Sequence, residues 1–276
     1  MRLPVAVVQL AAGADAAAAA ERSAAAVRDA ARGGAHLVVL PEYASGWAPR
    51  LTRELAQPRD GLFLTAVRAA AAEVGVWVVA GTMVPTGAQG RCENLAVLVG
   101  PDGQVVGEYR KVHLFDAFGV RESDLLDGGP PGAGNLLTAE VGGLRIGVAT
   151  CYDLRFPEIF RLLADSGVQV LVVIAAWADG PGKVEQLEVL ARSRALENTS
   201  YLLLASQPGE GRVGRSAVIS PWGTVIDQGA ANDAVILHSE LDADAVAQAR
   251  TTLPSLIHRQ FHVVPGAPGS LEPLER

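Results

Sequence analysis

The sequence predicts an α/β protein with more than one sheet layer. Three observations carry this. Short runs of Val, Leu and Ile alternate with Ala-rich or charged helical stretches through the first half and the middle of the chain, the pattern of strands linked by helices. Strands then cluster between residues 201 and 241 with no long helix among them. Hydrophobic residues make up 49% of the 276 positions but aromatics only 5%, so a large core must be built from Val, Leu, Ile and Ala.

The elements follow in order. LPVAVVQL at 3–10 reads as a buried strand. Residues 15–33 are Ala-rich with charges at helical spacing, and the Gly33-Gly34 pair ends that helix. HLVVL at 36–40 is a second buried strand and runs straight into Pro41-Glu42. A helix over 60–74 stops at Gly75, and VWVVAG at 76–81 is a strand. The segment at 85–91 is a turn. Strands at 94–100 and 104–111 flank Pro101-Asp102-Gly103 as a hairpin. Residues 112–135 are irregular, and a loop of this length inside a compact domain is usually functional. LRIGVATC at 144–151 is a strand ending on Cys151. A helix follows, with Pro157 suited to its first turn. Then come a strand at 168–177, a helix at 183–198, strands at 201–206, 216–221, 223–227 and 234–241, and a helix at 242–251. We read residues 1–255 as one domain and 256–276 as a C-terminal tail.

Charge and cysteine content narrow the function classes. The formal net charge is −7, which repels phosphate backbones, so nucleic acid is not an expected partner. Two cysteines in a chain of this length do not make a secreted disulfide scaffold, and a reduced, cytoplasmic setting is expected. No Cys/His cluster has zinc spacing, so no metal site is expected. Gln9 breaks the N-terminal apolar run, and Asp15 and Glu21 follow it, against an export signal. No stretch is long and apolar enough to span a membrane.

Three polar residues end or leave buried strands: Glu42, Lys111 and Cys151. Ligand sites of open α/β sheets gather at the carboxyl ends of strands. Cys151 sits at a strand-to-helix turn, which lifts a nucleophile clear of the sheet. The helix start that follows is expected to lower its thiol pKa and to offer backbone N–H groups to an oxyanion. Most free cysteines are instead small buried hydrophobes, and Cys92 is read that way. A cysteine nucleophile needs a base. His113 is one candidate, but Glu42 is the better one, because a carboxylate behind an apolar strand and a proline leaves bulk water. Lys111 balances that charge and can stabilise an oxyanion; its alternative is an ordinary surface lysine.

LPEYASGW around Glu42, YRKVHLFD around Lys111 and CYDLRFPE around Cys151 resemble the three signature blocks of the nitrilase superfamily, the carbon–nitrogen hydrolases. Their order and spacing match in a chain of this length. The resemblance runs from the first strand to the helix near residue 250, and CYDLRFPE is similar to the omega-amidase and deaminated-glutathione-amidase branch. It implies a four-layer αββα sandwich, with Glu42 as general base, Lys111 as stabilising lysine and Cys151 as nucleophile. Glu122 matches a second glutamate that positions substrate or polarises the lysine. The backbone N–H of Tyr152 matches the second oxyanion donor. A homodimer or higher homo-oligomer is also implied.

The sequence departs from that branch in two places. Gln186 and Leu187 stand where the related amidases carry His-Trp, and the loop after Lys111, through Asp116-Ala117-Phe118-Gly119, is shorter. Both segments border the substrate pocket in the family. The triad and the resemblance together imply an amidase acting on a small carboxylate-bearing amide without a cofactor. A nitrilase or N-carbamoyl hydrolase on the same triad is the alternative, and a catalytically silent binding scaffold is the alternative of another class. Arg155 is the candidate partner for the substrate carboxylate, because guanidinium forks match carboxylates; its alternative is a salt bridge with Asp153 or Glu158. Tyr43, Phe115, Phe118 and Trp177 are candidate pocket walls or, equally, core residues.

Overall fold

Twelve strands divide into two six-stranded sheets in the computed structural model of the chain, which describes residues 1–87 and 90–265. In the first sheet β1 (Arg2–Gln9), β2 (Leu37–Val39) and β3 (Trp77–Pro85) run parallel. Antiparallel β4 (Cys92–Val99) and β5 (Val105–Arg110) extend it on one side, and β12 (Val235–Asp242) pairs with β1 on the other. In the second sheet β7 (Leu144–Thr150), β8 (Val170–Ala175) and β9 (Tyr201–Ser206) run parallel. It is completed by β6 (Thr138–Val141) beside β7, and by β10 (Ala217–Ile219) and β11 (Val225–Gln228) beyond β9.

The period-2 alternation of side chains decides the layers. In β1 and β2 the even positions Ala6, Val8 and Val38 pack under α1 (Ala16–Arg32) and α2 (Leu62–Val74), against Val27, Phe63 and Val67. The odd positions Val5, Val7, Leu37 and Val39 face the second sheet, in one cluster with Ile146, Val148, Val172 and Leu203. Phe160 and Leu163 of α3 (Pro157–Asp165) and Ala191 and Ala195 of α4 (Lys183–Glu197) cover that sheet's far side. The result is the expected αββα sandwich.

Local chemistry sets the element ends. Asp15 caps α1 by accepting from the Ala18 N–H. Gly75 ends α2 in the left-handed region at φ 68°, where a side chain would be strained. Pro157 opens α3 at its first position, where no amide donor is needed.

Three differences from the sequence reading exceed a shift of a residue or two at a strand end. β3 continues four residues past Gly81 because β4 pairs with it as far as Cys92. β6 was not expected; its burial is mixed, so it has no apolar run to announce it. A short helix, α6 (Ser255–His258), straddles the boundary drawn at residue 255, after α5 (Ala243–Thr252). Of the expected tail, residues 266–276 lie outside the described residues, as do 88 and 89 of the expected turn at 85–91. The long loop at 112–135 carries only two 3-10 turns, Glu122–Asp124 and Ala133–Asn135.

Candidate active site

The two sheets deliver ionisable side chains to one place. Glu42 follows β2, and its backbone packs so tightly on Gly81 of β3 that a Cβ there would lie 2.5 Å from the Glu42 Cα. Gln207, just past β9, donates to the Glu42 carbonyl at 2.6 Å. The Glu42 side chain is 1% exposed. Its Oε1 accepts from Asn94 at 2.7 Å and from Lys111 Nζ at 3.1 Å, and its Oε2 accepts from the Ala176 N–H at 2.7 Å.

Lys111 leaves the end of β5, and its amide donates to the Asn94 carbonyl. Its ammonium, also 1% exposed, reaches Glu122 at 2.8 and 3.1 Å. Glu122 is fixed in turn by the Tyr43 hydroxyl at 3.0 Å and the Phe115 N–H at 2.7 Å. Two carboxylates thus flank one buried ammonium. Burial opposes the charge on Lys111, but Glu122 and Glu42 outweigh it and hold the pKa well above the ordinary lysine value.

Cys151 begins the 3-10 turn Cys151–Arg155 directly after β7, with φ at 48°. A non-glycine residue in that region stores on the order of 1–3 kcal/mol of strain, a cost that recurs at functional sites. Fully buried Asp153 holds the turn. Its Oδ2 accepts from the Thr150 N–H and the Tyr109 hydroxyl, and its Oδ1 from the His113 N–H. The thiol is not the low-pKa group expected from a helix start. Burial pushes it well above the ordinary thiol value and Glu42 pushes it further; Lys111 pulls it back, and Glu122 pushes it up again. Two nearby carboxylates and burial outweigh one ammonium and a single short turn.

Cys151, Glu42 and Glu122 open onto a cleft of about 900 Å³, within the size range of small-ligand sites. Lys111 lies behind them. Among the described residues no group of three or more His, Cys, Asp or Glu side chains is arranged to hold a metal ion. No helix among them is long and apolar enough to cross a membrane.

The carbon-nitrogen hydrolase family model matches residues 4–251. The chain belongs to this family. It is 38% identical to a hydrolase of Mycobacterium tuberculosis, over 91% of this chain and 94% of that protein. It is 35% identical to the deaminated glutathione amidase of Escherichia coli O157:H7, over 84% and 87% of the two chains. It is 31% identical to the human omega-amidase, over 82% and 84%. Among solved structures it is similar to XC1258 from Xanthomonas campestris, a CN-hydrolase superfamily protein whose crystal structure carries an arsenic adduct in its active site. The TM-score is 0.85 at 25% identity, over 96% of this chain and 99% of that one.

In this hydrolase the four central residues from the sequence, Glu42, Lys111, Glu122 and Cys151, come together. Tyr43, Phe115, Tyr152 and Trp177 line the cleft. The Tyr152 ring meets Phe115 edge-on at 5.1 Å. Phe118 is 72% exposed and stacks beneath the Lys183 ammonium instead. His113 is committed elsewhere: its Nδ1 lies 2.7 Å from Asp153 and its ring stacks on Phe156. Arg155 forms no ion pair with Asp153 or Glu158. Its Nη2 donates to Gln186 at 2.6 Å, and its guanidinium lies over Trp177 and Tyr152 at the cleft wall. Leu187 is buried in the core.

Sequence reasoning missed Asn94, the Ala176 N–H, Gln207 and Lys183. Asn94 has a readable trace, a buried amide opening an apolar strand. The Ala176 N–H has none, since a backbone donor carries no letter of its own.

Proposed function

We propose that this hydrolase is an amidase that uses Cys151 as nucleophile and Glu42 as proton shuttle. The observation that carries the reading is the strained Cys151 in the cleft, beside a carboxylate fixed by three donors, one of them a lysine whose pKa is held above its ordinary value. The Cys151 sulfur attacks the amide carbon as its proton passes to Glu42. Charge on the carbonyl oxygen is met by the Lys111 ammonium and the Tyr152 N–H. Collapse breaks the C–N bond, and the Glu42 proton leaves with the amine, leaving a thioester. Water then attacks that thioester. Glu42 accepts a proton from the water and returns it to the departing sulfur. Glu122 touches no reacting atom in this scheme; it positions Lys111.

The substrate class is a small amide bearing a carboxylate, which Arg155 binds from the cleft wall. The similarity to the deaminated glutathione amidase and the omega-amidase supports an amide rather than a nitrile or N-carbamoyl group. Ammonia release from a panel of amides, nitriles and N-carbamoyl acids tests this. Turnover of amides by the parent enzyme and none by Cys151→Ala is expected. Ammonia release by the folded alanine variant contradicts it.

A further inference from the structure

Lys183 is the first residue of α4 and is 6% exposed, yet its ammonium has no carboxylate and no hydrogen-bond partner among the described residues. Its Nζ lies 3.4 Å above the Phe118 ring and 5.4 Å from that of Phe115, at the wall of the cleft. Cation–π contact of this kind is weak beside an ion pair. The first turn of a helix is also the wrong end for a positive charge. Among the described residues only these rings meet the ammonium.

The charges around the cleft indicate what it meets. At the exposed rim Arg50, Arg53 and Arg121 are matched in number by Glu54, Asp124 and Glu210. Deeper in, Glu42 and Glu122 face Lys111, Arg155 and Lys183, which leaves one positive charge unbalanced. Without Lys183 the inner set would be neutral, and an incoming anion would leave it negative. With Lys183, one carboxylate balances it. Burial and then the nearby Arg155 lower the Lys183 pKa, while Cys151 raises it in part; the net shift is down.

We propose that Lys183 is a specificity residue that leaves the Phe118 ring to clamp, together with Arg155, the single carboxylate of a monoanionic amide. This rests on the amidase reading for the reacting end of the substrate, and adds to it the charge the substrate must carry. Gln186 supports the clamp by holding the Arg155 guanidinium at 2.6 Å.

The test measures binding of succinamate, a monoanionic amide, and of neutral propionamide by calorimetry to Cys151→Ala and to Cys151→Ala/Lys183→Met. Because binding to an inactive variant is read, the result stands whether or not the parent enzyme turns over amides. Lys183→Met should weaken succinamate binding by at least about tenfold relative to propionamide, and Lys183→Arg should restore most of it. The thermal midpoint of Lys183→Met should be unchanged or raised. In the active enzyme the same substitution should raise KM for succinamate with little effect on kcat. Equal weakening of both ligands with a lowered midpoint would make Lys183 structural and overturn the proposal. So would unchanged succinamate affinity, or no succinamate binding to Cys151→Ala.

Discussion

Lys111 is held between Glu42 and Glu122 with all three side chains out of water, so each charge depends on the others. Removing the lysine would leave two facing buried carboxylates, at a cost of about 3–5 kcal/mol. The raised Lys111 pKa fixes the sign of its pH dependence. Its pairing stabilises the fold in full below the ordinary value of 10.5 and is lost only as pH climbs through the higher folded value. The thiol obeys the opposite balance: burial, Glu42 and Glu122 raise its pKa and Lys111 offsets them only in part. In a Cys92→Ala background, ultraviolet titration of the thiolate should give a midpoint above the ordinary 9.0. Glu42→Gln should move that midpoint down while reducing turnover by about 10²–10⁴-fold. A midpoint near neutrality, or an upward move in Glu42→Gln, would contradict the charge balance. Glu42, Lys111 and Cys151 were legible because each is a polar letter at the end of a strand, whereas Glu122, inside the loop at 112–135, came only from the resemblance. Lys183 was not legible, because a lysine at the start of a charged helix reads as solvated surface until the cleft wall is known. The expectation for the thiol failed for a related reason: the turn after Cys151 was visible, but the two carboxylates folding back on it were not.

Strand ends position these side chains, and the tolerances are tight. Gly81 lets β3 pass against the Glu42 backbone; a Cβ would also stand 2.5 Å from the Pro41 carbonyl oxygen and 2.9 Å from Ile174. Gly81→Ala should therefore cost about 1–3 kcal/mol of stability and lower kcat by at least about tenfold by displacing the carboxylate. Steady-state kinetics below the variant's thermal midpoint will read the second effect apart from the first. Unchanged kcat would mean the Glu42 backbone yields without consequence. Asp153 does the corresponding work for the Cys151 turn, joining it to Tyr109 at the end of β5. Most elements were legible from apolar runs and their Gly and Pro punctuation. The exception, β6, pairs with β7 through Val141–Leu144 across the Gly142-Gly143 turn. Only Val141 of its four residues is buried, so its existence is decided by its partner and not by its own pattern.

Across the whole molecule, the site exists only where the sheets meet. The first sheet supplies Glu42, Asn94 and Lys111; the second supplies Cys151 and the Ala176 N–H. The odd-position residues of β1 and β2 hold the two together. Strand content and the presence of more than one sheet layer were legible in the alternation and clustering of strands; the αββα layer order came from the resemblance. β12 closes the first sheet by pairing with β1 from the far end of the chain, and buried runs of similar composition do not say which partner they choose. The central claim is that the chemistry passes through an acyl group on Cys151. The direct measurement is mass spectrometry of the enzyme quenched during succinamate turnover, with ammonia counted in the same sample. The account predicts a succinyl adduct on the peptide carrying Cys151, absent from Cys151→Ala, which releases no ammonia. Continued ammonia release with no adduct, or an adduct on another residue, would contradict it.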